Sequence, residues 1–576
     1  MRRELGTVDG AALVVSTVVG VGIFVSPGIV AGLVPSPLPM LAVWAAGGLL
    51  ALCGALVYAE LAATYPAAGG EYVYIRRAFG PLAGFLSGWT SLVAGFSGAI
   101  AAAGVGFAEY LGRFVPLAAE TSVLAAVGIS GAQLTVTPRA LVAIGVIVLF
   151  SAVHLRGLGP GRVVNSALAA LNVVTVLVLV AVGFAIGDAP ARDWATESRP
   201  WTVGAWLLAL IPVMFTYSGW NAPAYLGGEF REPGRSLPRA FLLGTCIVLA
   251  LYLALVALYV HALGVGALAR TTAVGDRAAA ALLGRTGAML LGPLVLAALA
   301  SSVSAMVMTG PRVYYAMARD GALPAALARL SPTSGVPARA LVAQSAWSCL
   351  LVITGAFEAL LTYTGFAIVL FGGVAVASVF VLRRHDAALA RPYRVWGYPL
   401  TPAAFVVASV AIVVQAIRLA PAPSLWGTAI ILLGAPVWWW TAVRGQGRRK
   451  EERGGRTECA ELSPPASLLP PPSLEPESES QRQRHSVDRP EGPDLRRRPV
   501  ARAVPDRLPS AVPERNVPDV GREQPRGPAQ IGEAAQRDSD AQARAGGRPP
   551  ARGREQVGAD GILELHALRE ALTLRH

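Results

Sequence analysis

The chain is predicted to be an all-α integral membrane protein of twelve spans. Three observations predict it. First, 54% of the 576 residues are hydrophobic and only 15% are charged. Second, the charges are unevenly placed: none occurs between Asp9 and Glu60. Further charge-free runs cover 78–108, 163–187, 200–228, 240–269, 286–311, 340–357, 359–382, 395–417 and 419–443. Third, most of these runs reach the roughly 20 residues that a helix needs to cross about 30 Å of hydrocarbon. A β-barrel would instead show segments of about ten residues with alternating hydrophobicity, and no such alternation marks these runs.

In order, span 1 is expected at 9–33 and span 2 at 38–63, parted by the turn Pro35-Ser36-Pro37. Span 3 follows at 81–111, span 4 at 138–155 and span 5 at 163–187. Span 4 is the shortest and ends at His154 and Arg156. Spans 6 to 9 are placed at 203–230, 238–263, 286–317 and 338–356, and spans 10 to 12 at 359–383, 400–418 and 424–443. The transmembrane domain is therefore 1–444. Residues 445–576 contain no Phe, Tyr or Trp and are dense in Pro, Arg, Glu, Gln and Ser. Such a composition buries too little apolar surface to offset ordering entropy, so this tail is expected to be disordered and cytoplasmic.

The formal net charge of +13 does not signal nucleic acid. With the N-terminus inside, the inner loops and termini up to Arg444 carry 18 arginines and the outer loops eight. That bias is the positive-inside rule, and it places both termini in the cytoplasm, as twelve spans require. Cys53, Cys246 and Cys349 fall within apolar runs and Cys459 in the tail, so no outer disulfide framework is expected. Lys450 is the single lysine beside abundant Arg, Ala, Gly and Pro, a bias pointing to a GC-rich bacterial genome.

Two spans hold residues that a plain anchor does not need. Span 1 contains Val19-Gly20-Val21-Gly22-Ile23-Phe24-Val25-Ser26-Pro27-Gly28, and span 6 contains Phe215-Thr216-Tyr217-Ser218-Gly219-Trp220-Asn221-Ala222-Pro223. Pro removes a backbone donor and Gly lowers the cost of non-helical dihedrals, so both helices are expected to be interrupted. Broken backbone at mid-membrane is tolerated only against protein or a watery cavity. It creates a site for charged ligand groups without charged side chains: freed N–H groups meet a carboxylate and freed carbonyls meet an ammonium. A zwitterionic amino acid carries both. Each run alone is also compatible with close helix packing through small residues. Breaks in spans 1 and 6 together match an inverted repeat of five plus five helices.

The motifs then become specific. Gly20-Val21-Gly22-Ile23-Phe24-Val25-Ser26-Pro27, Tyr58-Ala59-Glu60-Leu61-Ala62, Pro66-Ala67-Ala68-Gly69-Gly70-Glu71-Tyr72-Val73-Tyr74 and Leu237-Pro238-Arg239-Ala240 stand in order with the span 6 run. So does Thr309-Gly310-Pro311-Arg312-Val313-Tyr314-Tyr315-Ala316-Met317-Ala318-Arg319-Asp320-Gly321. With these motifs the chain resembles the amino acid–polyamine–organocation superfamily, in its L-type amino acid transporter branch. The resemblance implies the LeuT-type fold, with two extra C-terminal helices, and a permease rather than an enzyme. It implies a substrate carboxylate on Gly20, Val21, Gly22 and Ile23, and an amino group near Phe215, Thr216 and Ser218, with Phe215 as an outer lid. It also places Asn221 and Tyr363 beside the pocket and, less directly, Ser302 and Ser304 on span 8. Hydroxyls bonded to their own helix are the plainer reading of those two serines.

One departure matters. Many relatives carry a lysine on span 5 where this chain has Asn172. A buried lysine can exchange a proton near neutral pH, whereas asparagine cannot. Exchange or facilitated diffusion is therefore expected over lysine-mediated proton symport, and sodium coupling stays open. Asn172 is read either as a polar support for the span 1 break or as helix–helix glue. No cofactor or metal is implied. The absence of a cysteine between spans 3 and 4 predicts a chain without a disulfide-linked heavy chain. Among other polar groups, Glu60 is expected to bond loop backbone or Arg76 or Arg77, Glu109 to pair with Arg113, and His154 to cap or snorkel at a helix end. Scattered His and acidic residues argue against a membrane enzyme. A non-transporting amino acid sensor on the same scaffold, or a carrier of polyamines or other amines, are the alternative readings.

Overall fold

A computed structural model describes residues 2–20, 22–129, 132–187, 198–271, 273–355, 357–419 and 421–441. The tail assigned to 445–576 lies outside the described residues.

The fold is helical. Its elements run α1 (Thr7–Val18), α2 (Gly22–Leu33), α3 (Pro37–Thr64), α4 (Glu71–Phe79), α5 (Pro81–Thr90) and α6 (Phe96–Leu111). A two-stranded antiparallel hairpin follows, β1 (Ala125–Ile129) with β2 (Ala132–Val136). Then come α7 (Pro138–Leu155), α8 (Leu158–Ile186), α9 (Val203–Thr216), α10 (Ala222–Tyr225) and α11 (Pro233–Leu268). The last are α12 (Val274–Thr309), α13 (Pro311–Arg319), α14 (Ala338–Thr354), α15 (Phe357–His385), α16 (Leu400–Leu419) and α17 (Pro421–Leu432). Many helices begin on proline, α3, α5, α7, α11 and α13 among them. A missing N–H costs nothing at a position whose N–H has no helical partner. Thr137 and Thr202 cap α7 and α9 by accepting from the N–H of Ala140 and Ala205.

Among the described residues nine helical stretches are long and apolar enough to cross a membrane, and α1 with α2 passes as one bent pair. Span 4, the shortest, meets the test as Pro138–Leu155. The stretch Leu291–Arg319 is the most enclosed, with 78% of its apolar window buried, against 22% for α8 and α16. Span 8 is thus central, while α8 turns Leu171, Val174, Leu177 and Val178 outward, as a lipid-facing surface would. The expected start of span 8 at 286 falls just past a kink at Gly284, which joins the span to a preceding helical segment from Val274 within α12.

Ion pairs close both faces. On the face where the chain begins, Leu5 pairs with Phe230, and Glu4 and Leu5 N–H donate to Glu229 O. There Arg312 is buried against Glu229 (Nε–Oε1 2.9 Å). Glu60 does not bond Arg76 or Arg77; it accepts from Arg383 (2.8 and 2.5 Å) and Val395 N–H (2.7 Å). The two α4 arginines are taken instead by Asp320 and Asp386. On the opposite face Glu109 pairs with Arg139 rather than Arg113. Arg113 grips Asp276 with two bonds of 2.5 Å, because α12 starts twelve residues earlier than its charge-free run and brings that carboxylate to the end of α6.

Candidate functional site

α1 ends at Val18, Val19 is extended (φ −74°, ψ 95°), and α2 restarts at Gly22 with its axis turned by 53°. The last carbonyls of α1 and the first N–H groups of α2 lose their helical partners here. The second break has the same form. α9 ends at Thr216, Ser218 N–H returns to Phe215 O, and Gly219 takes φ +109° before α10 begins at Ala222. An L side chain rarely adopts that φ, which explains glycine there.

The two breaks face one another. A Cβ on Gly22 would lie 3.1 Å from the Thr216 side chain, and one on Gly219 would lie 3.0 Å from Thr17 backbone. Thr17 Oγ1 lies 2.8 Å from Gly219 O and 2.6 Å from Leu13 O, its one proton shared between them, and Thr216 Oγ1 is hydrogen-bonded to Ser26 Oγ (2.8 Å). From α11, the fully buried Tyr252 hydroxyl donates to Val18 O at 2.7 Å and lies 3.4 Å from Thr216 O. Two helix C-termini, each carrying partial negative charge, thus converge on one donor, beside the partially positive start of α2. The arrangement suits a small molecule with a cationic and an anionic end.

Of the expected site residues, Gly20, Gly22, Phe215, Thr216 and Ser218 lie in or beside the breaks. Ile23 buries its side chain completely, so only its backbone can serve. Phe215 is 38% exposed at the last turn of α9. Val21 and the Tyr363 side chain lie outside the described residues. Ser302 is nearest to Gly20, its Oγ 3.9 Å from where a Cβ would stand. Ser304 points elsewhere and bonds His154 Nε2 (3.0 Å); that histidine is buried on α7 rather than snorkelling. Asn221 turns its amide to Tyr225 Oη (3.0 Å). Asn172 is wholly buried on α8, and neither amide atom has a hydrogen-bond partner among the described residues. The sequence reading missed Tyr252 and the Glu229–Arg312 pair. Their partners lie 234 and 83 residues away, a separation that leaves no local mark.

Residues 5–440 match the family described as Amino acid permease. The chain is 30% identical over 403 residues to b(0,+)-type amino acid transporter 1 of Homo sapiens, covering 69% of this chain and 79% of that protein. It is 29% identical over 443 residues to Large neutral amino acids transporter small subunit 2 of Homo sapiens, covering 76% and 80%. It is 26% identical over 406 residues to Serine/threonine exchanger SteT of Bacillus subtilis (strain 168), covering 70% and 88%. With two facing helix breaks and a match along nearly the whole membrane part, the chain belongs to the amino acid permease family, as a multi-pass membrane transporter and not an enzyme.

Proposed function

We propose that this chain carries neutral amino acids across a bacterial plasma membrane by alternating access, exchanging them or letting them equilibrate. The observation that carries the reading is the meeting of the α1 and α9 ends at one tyrosine hydroxyl, beside the start of α2. The α2 amides take the substrate carboxylate and the Val18 and Thr216 carbonyls its ammonium, under Phe215. Segments 17–28 and 212–223 contain no charged side chain, which favours a substrate whose side chain is uncharged. The twelve-span scheme follows if α1–α2 and α9–α10 each count as one interrupted helix, giving five plus five inverted helices and then α16 and α17. Asn172 supports exchange or facilitation over lysine-mediated proton symport. The names of the relatives, which include an exchanger, point the same way. No cysteine lies between α6 and α7, so the chain is expected to work without a disulfide-linked heavy chain.

Purified protein in proteoliposomes should take up radiolabelled neutral amino acids, and faster when the lumen holds unlabelled amino acid. No uptake or exchange of any amino acid by a folded preparation rejects the reading. Tyr252→Phe removes one buried hydrogen bond, worth about 0.5–1.5 kcal/mol. It should raise the KM of uptake about two- to tenfold with the protein still folded, as measured by initial rates.

A further inference from the structure

Directly beyond the α9 break lies a group that the carrier reading does not use. Glu71 opens α4, and Tyr58 on α3 donates to its Oε2 at 2.9 Å. Tyr225 on α10 and Asn221 in the break itself face the same carboxyl, and the Asn221 amide donates to Tyr225 Oη at 3.0 Å. Tyr74 closes the cage, its ring edge-on to Tyr58 at 5.7 Å. The charged groups around this cage are already committed. On α4 Arg76 pairs with Asp320 and Arg77 with Asp386; on α13 Arg312 pairs with Glu229; on α15 Arg383 pairs with Glu60. Tyr314 of α13 faces Tyr225, and α5 has no titratable side chain. Among the described residues no cation pairs with Glu71.

We propose that Glu71 is a proton-binding site, loaded from the face where the chain begins, whose occupancy is coupled to the geometry of the α9–α10 break through Asn221 and Tyr225. A half-buried carboxylate flanked by phenols and an amide, with no counter-charge, is held at a cost that a neutral acid escapes. Desolvation raises its pKa above the ordinary carboxylate value, against the polar groups of Tyr58, Tyr225 and Asn221 that pull it down. If opening of this face hydrates the carboxyl, its pKa returns towards about 4.3 and the proton leaves to solution. The sign follows. The closed arrangement binds the proton more tightly, so acid favours closure. That stabilisation is complete below about pH 4.3 and vanishes as pH rises through the raised value.

Infrared titration of the full-length protein without substrate tests the site independently of transport. A carboxylic acid C=O band should grow with acidification at a midpoint above the solvated value. Glu71→Gln should abolish that band. Tyr58→Phe should move its midpoint to higher pH, because it removes a donor to the carboxylate, and this variant serves if Glu71→Gln does not fold. In proteoliposomes, amino acid exchange by the wild type should fall with acid on that face, and Glu71→Gln should flatten the profile. The same band and midpoint in all three proteins overturns the proposal. So does an unchanged exchange profile in a folded Glu71→Gln protein. Absence of all transport with the band present counts against the carrier reading instead.

Discussion

Arg312→Ala is expected to destabilise the protein by about 3–5 kcal/mol, the range for breaking a buried ion pair. Arg312 and Glu229 are each 2% exposed, and the guanidinium donates twice to the carboxylate at 2.9 and 3.1 Å. A third bond runs from Nη1 to Met308 O at 2.5 Å. Alanine removes all three and leaves the Glu229 carboxylate buried without a counter-charge. The effect should spread, because Glu229 O also accepts the Glu4 and Leu5 N–H groups, which hold the chain's start against the end of the second break. Reversible unfolding in detergent micelles measures the loss. The double variant Glu229→Met/Arg312→Met should recover most of it, since a well-packed apolar pair of similar volume replaces a buried ion pair at little net cost. Equal losses in the single and double variants would show that the cost lies in packing and not in the stranded charge.

Gly219→Ala is expected to depress transport while leaving the helical bundle assembled. Its φ of +109° costs an L residue about 1–3 kcal/mol. The new methyl would also stand 3.0 Å from the Thr17 carbonyl carbon, Cβ and oxygen. Relief requires Gly219 to rotate or the two breaks to separate, and either disturbs the Thr17 bond to Gly219 O. A penalty of that size shifts an equilibrium between two helix geometries about 5–150-fold, so initial exchange rates should fall by about that factor. An unchanged rate would show that the bond between the breaks has no part in the transport cycle.

The helical membrane fold was legible because charge-free runs record the hydrocarbon thickness directly. The breaks were legible because Gly20, Gly22 and Gly219 each mark a departure from helical backbone within a few residues, whereas Pro27 is carried inside α2 without interrupting it. What binds one break to the other was not. Tyr252 lies in an apolar run where a tyrosine reads as bulk, and its meaning rests on carbonyls contributed by two distant helices. Charge pairing was equally opaque. Arg76 and Arg77 stand near Glu60 in sequence, and α4 even touches the end of α3 through Tyr58 and Glu71, yet other carboxylates take them. Asp320 and Asp386, from elements hundreds of residues onward, reach them first. Glu71 was noticed only as one letter of a motif, since its chemistry depends on Tyr58, Tyr225 and Asn221 closing around it.

Tyr252 carries one more consequence, concerning the carrier with nothing bound. Bare helix termini turned towards each other repel, and a protein that left them so would resist closing until cargo arrived. That resistance ties every outward journey to a return load. Here a phenol already supplies a proton to one terminus and sits beside the other. The vacant protein keeps a route through its closed form, and the strength of one hydrogen bond adjusts the ratio of net flux to one-for-one swapping.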